Sequence, residues 1–362
     1  MSQRYPEMVT MIPTYDCTAA CENCCFGSHP GITERLPLER VLHHIDEAAA
    51  LGSVKLIVFT GGECFSLGDD LTAAVARCTR HGLATRCVSN GYWAKSEEAA
   101  LERLRPLAEA GLGELNISTG DAHQAYVQVR NVINAMRAAD RLGIDALVVV
   151  ESQQERSFTA AALKSDPRWI ELLTKTGGEG GPVVFESPWM SMDPEAPVTQ
   201  PEEKLASRTT LPRKTGCDSV LRTVVVTPDE RLGACCGLTR EQIPELTVGS
   251  LAESSLSELV AGMLDDFVKI WVAVDGPDHI LAWASEHDPS IEWEGRFAHY
   301  CDSCRFMYSD PRVRAAIREH WEDVADDVLF RFAAITAEPG AGEVPLPLTS
   351  VDSSPVQPRY EM

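Results

Sequence analysis

No apolar run in the sequence approaches the roughly 18 residues needed to cross a membrane. The opening Met1-Ser-Gln-Arg-Tyr-Pro-Glu carries no secretory hydrophobic region. Both absences argue against a membrane-bound or exported chain and make the cytoplasm the expected compartment. Basic residues are also scarce: 32 Lys and Arg stand against 54 Asp and Glu, a formal charge of −22. Phosphate neutralisation needs clustered cations, so no nucleic acid is expected as a partner. No internal repeat is present beyond an alternation of strand-like and helix-like segments. What the chain does have is cysteine, 12 in all. In a cytoplasmic protein these are expected as metal ligands or free thiols rather than disulfides. With 362 residues and 44% hydrophobic content, the chain suits a large barrel plus an extension.

The alternation begins at Val9-Thr-Met-Ile-Pro-Thr-Tyr, a strand leading straight into Cys17. Further strands are expected at 54–60, 84–89, 114–118, 144–150 and 183–186, with helices at 37–51, 69–81, 96–110, 123–142 and 158–175 between them. Glycines at 52, 82, 111 and 143 fit helix C-caps. Six strand–helix units imply an α/β fold with a parallel sheet and right-handed crossovers, a partial (β/α)6 TIM-like barrel over residues 1–186. Residues 187–215, rich in Pro, Glu and Thr, read as a linker. Residues 216–336 read as a smaller α+β domain, with a hairpin turning at Pro228-Asp-Glu-Arg and helices near 255–274 and 310–334. Residues 337–362 form a Pro-rich tail.

Chemistry gathers at the strand ends, where active sites of such sheets lie. The first strand yields Cys17-x3-Cys21-x2-Cys24, three thiols that fall one short of a closed zinc site and leave one iron of a [4Fe–4S] cubane without a protein ligand. The second yields Thr60-Gly-Gly-Glu63, where glycines permit close backbone approach to a ligand and a carboxylate can hold an amine. The later ends are Ser89-Asn-Gly91, Ser118-Thr-Gly-Asp121-Ala-His123 and Glu151. Gly120-Asp-x-His123 either supplies a general base or a ligand or is a helix N-cap at Asp121 with His123 in the first turn.

The cysteine motif after the first strand, with Gly61-Gly62-Glu63 after the second, resembles the radical S-adenosylmethionine superfamily over about residues 8–186. The resemblance implies a [4Fe–4S] cluster on Cys17, Cys21 and Cys24, with S-adenosylmethionine on its open iron. Reductive cleavage then gives a 5′-deoxyadenosyl radical that abstracts a hydrogen atom from substrate. It further implies that Gly61, Gly62 and Glu63 hold the methionine amine, that Ser89 and Asn90 contact ribose or carboxylate, that Ser118 and Arg130 are carboxylate candidates, and that Glu151 is a ribose candidate. An electron donor such as flavodoxin or ferredoxin is implied as well. Asn23 stands where the family commonly has an adenine-packing aromatic, with Phe26 a substitute. Cys64 stands where proline is common; it is either a hydrogen-atom donor near the radical or a small buried residue. Cys25 reads as a bystander, and Cys78 and Cys87 as core.

A second set, Cys217, Cys235, Cys236, Cys301 and Cys304, lies beyond the linker. Its spacing suits zinc or a second Fe–S cluster. The arrangement resembles the twitch extension, and Leu246-Thr-Val-Gly-Ser-Leu resembles part of the longer SPASM domain. The expectation is one auxiliary [4Fe–4S] cluster on Cys217, Cys235, Cys301 and Cys304. Cys236 either replaces Cys235 as ligand or is a free thiol near substrate, a hydrogen-donor candidate. The expected function is a radical enzyme modifying a ribosomally made peptide by crosslink, thioether or epimerisation, with a separate leader-binding protein as a further expected partner. The alternatives are a dehydrogenase acting on a small molecule and a non-catalytic Fe–S, zinc or electron-transfer protein.

Overall fold

The computed structural model describes residues 5–175 and 181–337. The Pro-rich tail lies outside the described residues beyond Ala337. Six strands, β1 (Met8–Met11), β2 (Leu56–Phe59), β3 (Ala84–Ser89), β4 (Glu114–Thr119), β5 (Asp145–Ser152) and β6 (Val183–Pro188), run parallel and side by side in chain order. Helices Leu38–Ala50, Asp69–Arg80, Glu97–Ala110, Val129–Leu142 and Pro167–Lys175 lie on the crossovers. Gly111 and Gly143 close two of them at φ values of 102° and 68°, the left-handed conformation that glycine adopts without strain.

Alternate residues of each strand serve two environments. Val9, Ile57, Cys87, Ile117 and Val148 are completely buried in the core shared with the helices. Their neighbours Thr10, Val58, Val88, Ser118 and Val149 all border one cavity. A sheet whose one face wraps a single cavity is concave, the partial α/β barrel that the alternation of elements indicated. Among the described residues, no helix is long and apolar enough to cross a membrane.

The extension departs from the expected plan. Its hairpin, β7 (Thr223–Val226) and β8 (Arg231–Gly233), turns where expected, with Glu230 at φ 57°. But β7 pairs in parallel with β1, Met8 against Thr223 through Met11 against Val226. The sheet thus continues through β7 and β8 to β9 (Thr247–Ser250), nine strands in all. All four residues of β7 are buried, and a run buried on both faces needs neighbouring strands on each side. The segment 187–215 is likewise not a free connection. Gln200 Nε2 donates to the carbonyls of Ser152 (3.0 Å) and Trp189 (2.6 Å), and Lys204 Nζ to Ser152 Oγ (2.8 Å).

Several expected helices are broken by residues that start a new one. The 255–274 span divides into Leu256–Met263 and Phe267–Asp275, because the Asp266 carboxylate caps Lys269 N at 3.1 Å. The 158–175 span divides at Pro167, and the 310–334 span near Trp321, giving Pro311–His320 and Glu322–Ala337. The 123–142 span divides into Asp121–Gln124 and Val129–Leu142. Helices Pro277–His287 and Tyr300–Ser309 were not expected; the second presents Cys301 and Cys304 three residues apart, on one face.

Candidate active site

The C-terminal strand ends and the strap that follows β6 enclose a cavity of about 320 Å³. Cys17, Cys21 and Cys24 all border it. Their loop is wound by Cys24 N on Cys21 O (3.2 Å) and Gly27 N on Cys24 O (3.0 Å). Asn23 turns it at φ 59°, a conformation Asn tolerates. The Asn23 Oδ1 accepts from Ser191 Oγ and Met192 N, both at 3.2 Å. The residue that replaces the family's aromatic thus ties the cysteine loop to the strap. Arg305, directly after Cys304, grips the same strap from the other side, donating to Ser191 O (3.0 Å) and Met192 O (3.2 Å). Phe26 borders the cavity beside Tyr15, ring centroids 6.1 Å apart.

The glycine pair has a steric cause. A Cβ on Gly62 would stand 2.0 Å from the Asp16 carbonyl oxygen, and one on Gly61 2.5 Å from that of Thr14. The backbones dock there, Gly62 N on Thr14 O and Glu63 N on Asp16 O, each at 2.9 Å. Gly61 and Gly62 border the cavity. Glu63 does not: its carboxylate is wholly buried and accepts from Phe65 N (3.0 Å), Ser89 Oγ (2.9 Å) and Asn90 N (2.9 Å). Burial pushes its carboxyl up to about 7 against these three donors. The side chain braces β2 to β3.

The next strand ends divide the same way. Ser89 Oγ is occupied by Glu63 and by Gly91 N and Trp93 Nε1, each at 3.0 Å. Asn90 borders the cavity, yet its Nδ2 donates to Thr18 Oγ1 (3.1 Å) and reaches Cys17 Sγ at 3.6 Å. Ser118 and Thr119 face the cavity. Glu151 also borders it, but its carboxylate caps the short helix Asp121–Gln124 through Ala122 N and meets His123 Nδ1 at 3.2 Å. Asp121 is not that cap; it accepts from Ser157 N (2.7 Å) and Phe158 N (2.8 Å). Arg130 is exposed on the first turn of Val129–Leu142 and does not border the cavity. The Cys64 thiol is completely buried, donates to Val88 O at 3.2 Å and lies away from the cavity, so its packing explains it. Cys78 and Cys87 are core, as expected, whereas Cys25 borders the cavity.

Burial pushes the Cys17 thiol up to about 11 and the Cys21 thiol up to about 12, with neighbouring thiols adding to both. A bound metal group would reverse that, since coordinating thiols are deprotonated. Tetrahedral zinc, with Zn–S near 2.3 Å, would draw sulfurs to about 3.8 Å from each other. Among the described residues no three cysteine sulfurs lie within 4.8 Å of one another. Thiolate donors of this kind suit an Fe–S cluster as well as zinc.

In the second set the charges of Cys217, Cys235, Cys301 and Cys304 act on one another, and burial pushes Cys301 up to about 12. Gly237 lies between two of them: its Cβ would stand 3.1 Å from Cys301 Sγ and 3.4 Å from Cys235 Sγ. The charge of Cys236 also acts on Cys217, Cys235 and Cys301. The Cys236 thiol borders the cavity, lies 3.4 Å from Ser219 Oγ, and is influenced by Thr10 and Arg86.

The cavity holds groups the sequence reading missed. Arg86 and Asn116 border it at mid-strand, and Trp189, Met190 and Met192 cover it from the strap. Arg86 Nε, Asn116 Oδ1 and Thr119 Oγ1 are enclosed without hydrogen-bond partners. Orphaned buried polar atoms cost about 1–3 kcal/mol each. The signal was alternation of polar with apolar residues in Leu115-Asn-Ile-Ser and a lone arginine inside the strand run Ala84–Ser89.

Comparison with known proteins bears on residues around the cavity. A Bacillus subtilis (strain 168) protein, YydG, described provisionally as a peptide biosynthesis protein, is 28% identical over 120 residues, 33% of this chain and 38% of that relative's length. The solved structure of Streptococcus suis SuiB bound to S-adenosylmethionine superposes with TM-score 0.45 at 14% identity, over 77% of this chain and 75% of that one. That of BtrN in complex with AdoMet and 2-DOIA gives TM-score 0.43 at 13% identity, over 76% and 89%. Residues 11–151 match the family model described as the radical SAM superfamily. Those residues include all three loop cysteines and the glycine pair, and over this stretch the chain is similar to the radical SAM superfamily.

Proposed function

We propose that this protein is a radical S-adenosylmethionine peptide maturase that inverts a stereocentre, removing a hydrogen atom from one face of a substrate carbon and returning one to the other from Cys236. Similarity to that superfamily implies a [4Fe–4S] cluster and S-adenosylmethionine. When bound, that pair supplies the 5′-deoxyadenosyl radical that abstracts the hydrogen atom. In this reading Cys17, Cys21 and Cys24 hold the first cluster, and the Gly61-Gly62 backbone accommodates the methionine end. Ser118 lines the nucleoside side. Asn90 orients Cys17, and Glu63 and Ser89 keep Asn90 in place. Cys217, Cys235, Cys301 and Cys304 hold the second cluster.

The observation that carries the reading is the cavity-facing thiol of Cys236. Hydrogen return breaks its S–H bond, forms a substrate C–H bond and leaves a thiyl radical. One electron, from a flavodoxin- or ferredoxin-class donor through the second cluster, and one solvent proton restore the thiol. The peptide substrate class draws on the relative's provisional link to peptide biosynthesis, a relative of which this chain spans 38%. Turnover in D2O is expected to place one deuterium on the inverted carbon, because thiol protons exchange with solvent. Two-electron oxidation of a small molecule, which the second cysteine set would also serve, leaves no solvent deuterium on carbon.

A further inference from the structure

We infer that Arg86 and Asn116 form a recognition subsite for a secondary amide on the cavity wall, so that the group held beside Cys236 is a peptide unit; this rests on the reading of the cavity as the substrate site. The two residues lie on adjacent strands. Arg86 pairs in register with Glu114, and Asn116 sits two residues further along β4, opposite Val88. That diagonal is within reach of long side chains on one sheet face.

Arg86 is anchored at one end only. Its Nη2 donates to Glu114 Oε2 at 2.8 Å, while its Nε–H has no partner. Asn116, 9% exposed, has no partner for its Oδ1. Its carboxamide turns about a soft terminal torsion, so presenting that oxygen inward requires no backbone movement. One free donor and one free acceptor on one wall complement the C=O and N–H of a single amide. A phosphate or carboxylate would leave the acceptor without a donor, and an amine would leave the guanidinium without an acceptor.

The remaining wall fits the same ligand. Met8, Val58, Val88, Val149, Val225 and Met192 make most of it apolar. Glu151, the carboxylate bordering the cavity, is engaged by Ala122 N and His123. An apolar residue within a peptide satisfies both this stretch of wall and the amide pair. Arg86, Asn116 and Cys236 all border this one cavity.

The test uses N,4-dimethylpentanamide, which carries one secondary amide, and methyl 4-methylpentanoate, its ester counterpart without an N–H, on the anaerobically reconstituted full chain. Dissociation constants come from ligand-observed NMR titration. The amide is expected to bind about tenfold more tightly than the ester. Arg86→Gln and Asn116→Leu are each expected to remove that preference while keeping iron content and S-adenosylmethionine cleavage. Asn116→Leu, nearly isosteric and free of the Glu114 pair, stays informative if Arg86→Gln folds poorly. Absence of saturable amide binding, equal binding of amide and ester, or a preference that survives in both variants would overturn the inference. The cavity's radical chemistry stands or falls separately, on 5′-deoxyadenosine formation.

Discussion

Cys236→Ala, turned over with a peptide substrate in D2O, is expected to form 5′-deoxyadenosine within about threefold of the wild-type rate while deuterated, inverted product falls by about 100-fold or more. The split arises because Cys236 is placed at the second half of the reaction only. It borders the cavity and, in the proposed reading, is a ligand of neither cluster, so its removal leaves Cys17, Cys21, Cys24 and Asn90 as they were. The radical forms, takes its hydrogen and has no thiol to accept one from. Cys236→Ser is the sharper variant. A hydroxyl keeps the polar contact with Ser219 Oγ, now 3.4 Å from the sulfur, but its O–H bond is too strong to give a hydrogen atom to carbon. Serine should therefore behave as alanine does. Equal loss of cleavage and inversion in both variants would mean a structural thiol. Normal inversion in the serine variant would rule out hydrogen donation from this position.

Gly62→Ala is expected to remove the first cluster and spare the second. Iron after reconstitution should fall from about eight per chain to about four, and 5′-deoxyadenosine formation to below about 1% of wild type. A methyl at 62 would stand 2.0 Å from the Asp16 carbonyl oxygen, backbone against backbone, with no flexible side chain to yield. Asp16 directly precedes Cys17, so the displacement is delivered to the loop holding the three thiols. The second set is on other elements. Its closest steric counterpart is Gly237, between Cys235 and Cys301. Equal iron loss at both sites would indicate global unfolding, and full iron with normal cleavage would show that the loop absorbs the clash.

The barrel was legible because each crossover carries its own punctuation: continuous apolar strands such as Leu56–Phe59, amphipathic helices, and glycines that close them. The loop cysteines and glycine pair were legible because their spacing is local. What sequence concealed is non-local. Nothing in Thr223-Val-Val-Val indicates that its parallel partner is β1, more than 200 residues earlier. The donors to the Glu63 carboxylate, Ser89 and Asn90, arrive from the next strand. Arg130 sits close in sequence to β4 yet on an exposed helical turn. Arg86 and Asn116 stand at mid-strand, where only a period of two, and not a motif, marks the cavity side.

The most direct test of the account is anaerobic reconstitution of the full chain followed by reduction with dithionite in the presence of S-adenosylmethionine. The account predicts about eight irons per chain in two [4Fe–4S] clusters, and methionine with 5′-deoxyadenosine forming only when reductant is present. A chain loaded with iron at Cys17, Cys21 and Cys24 that leaves S-adenosylmethionine intact, or one that takes up zinc there instead, would contradict it.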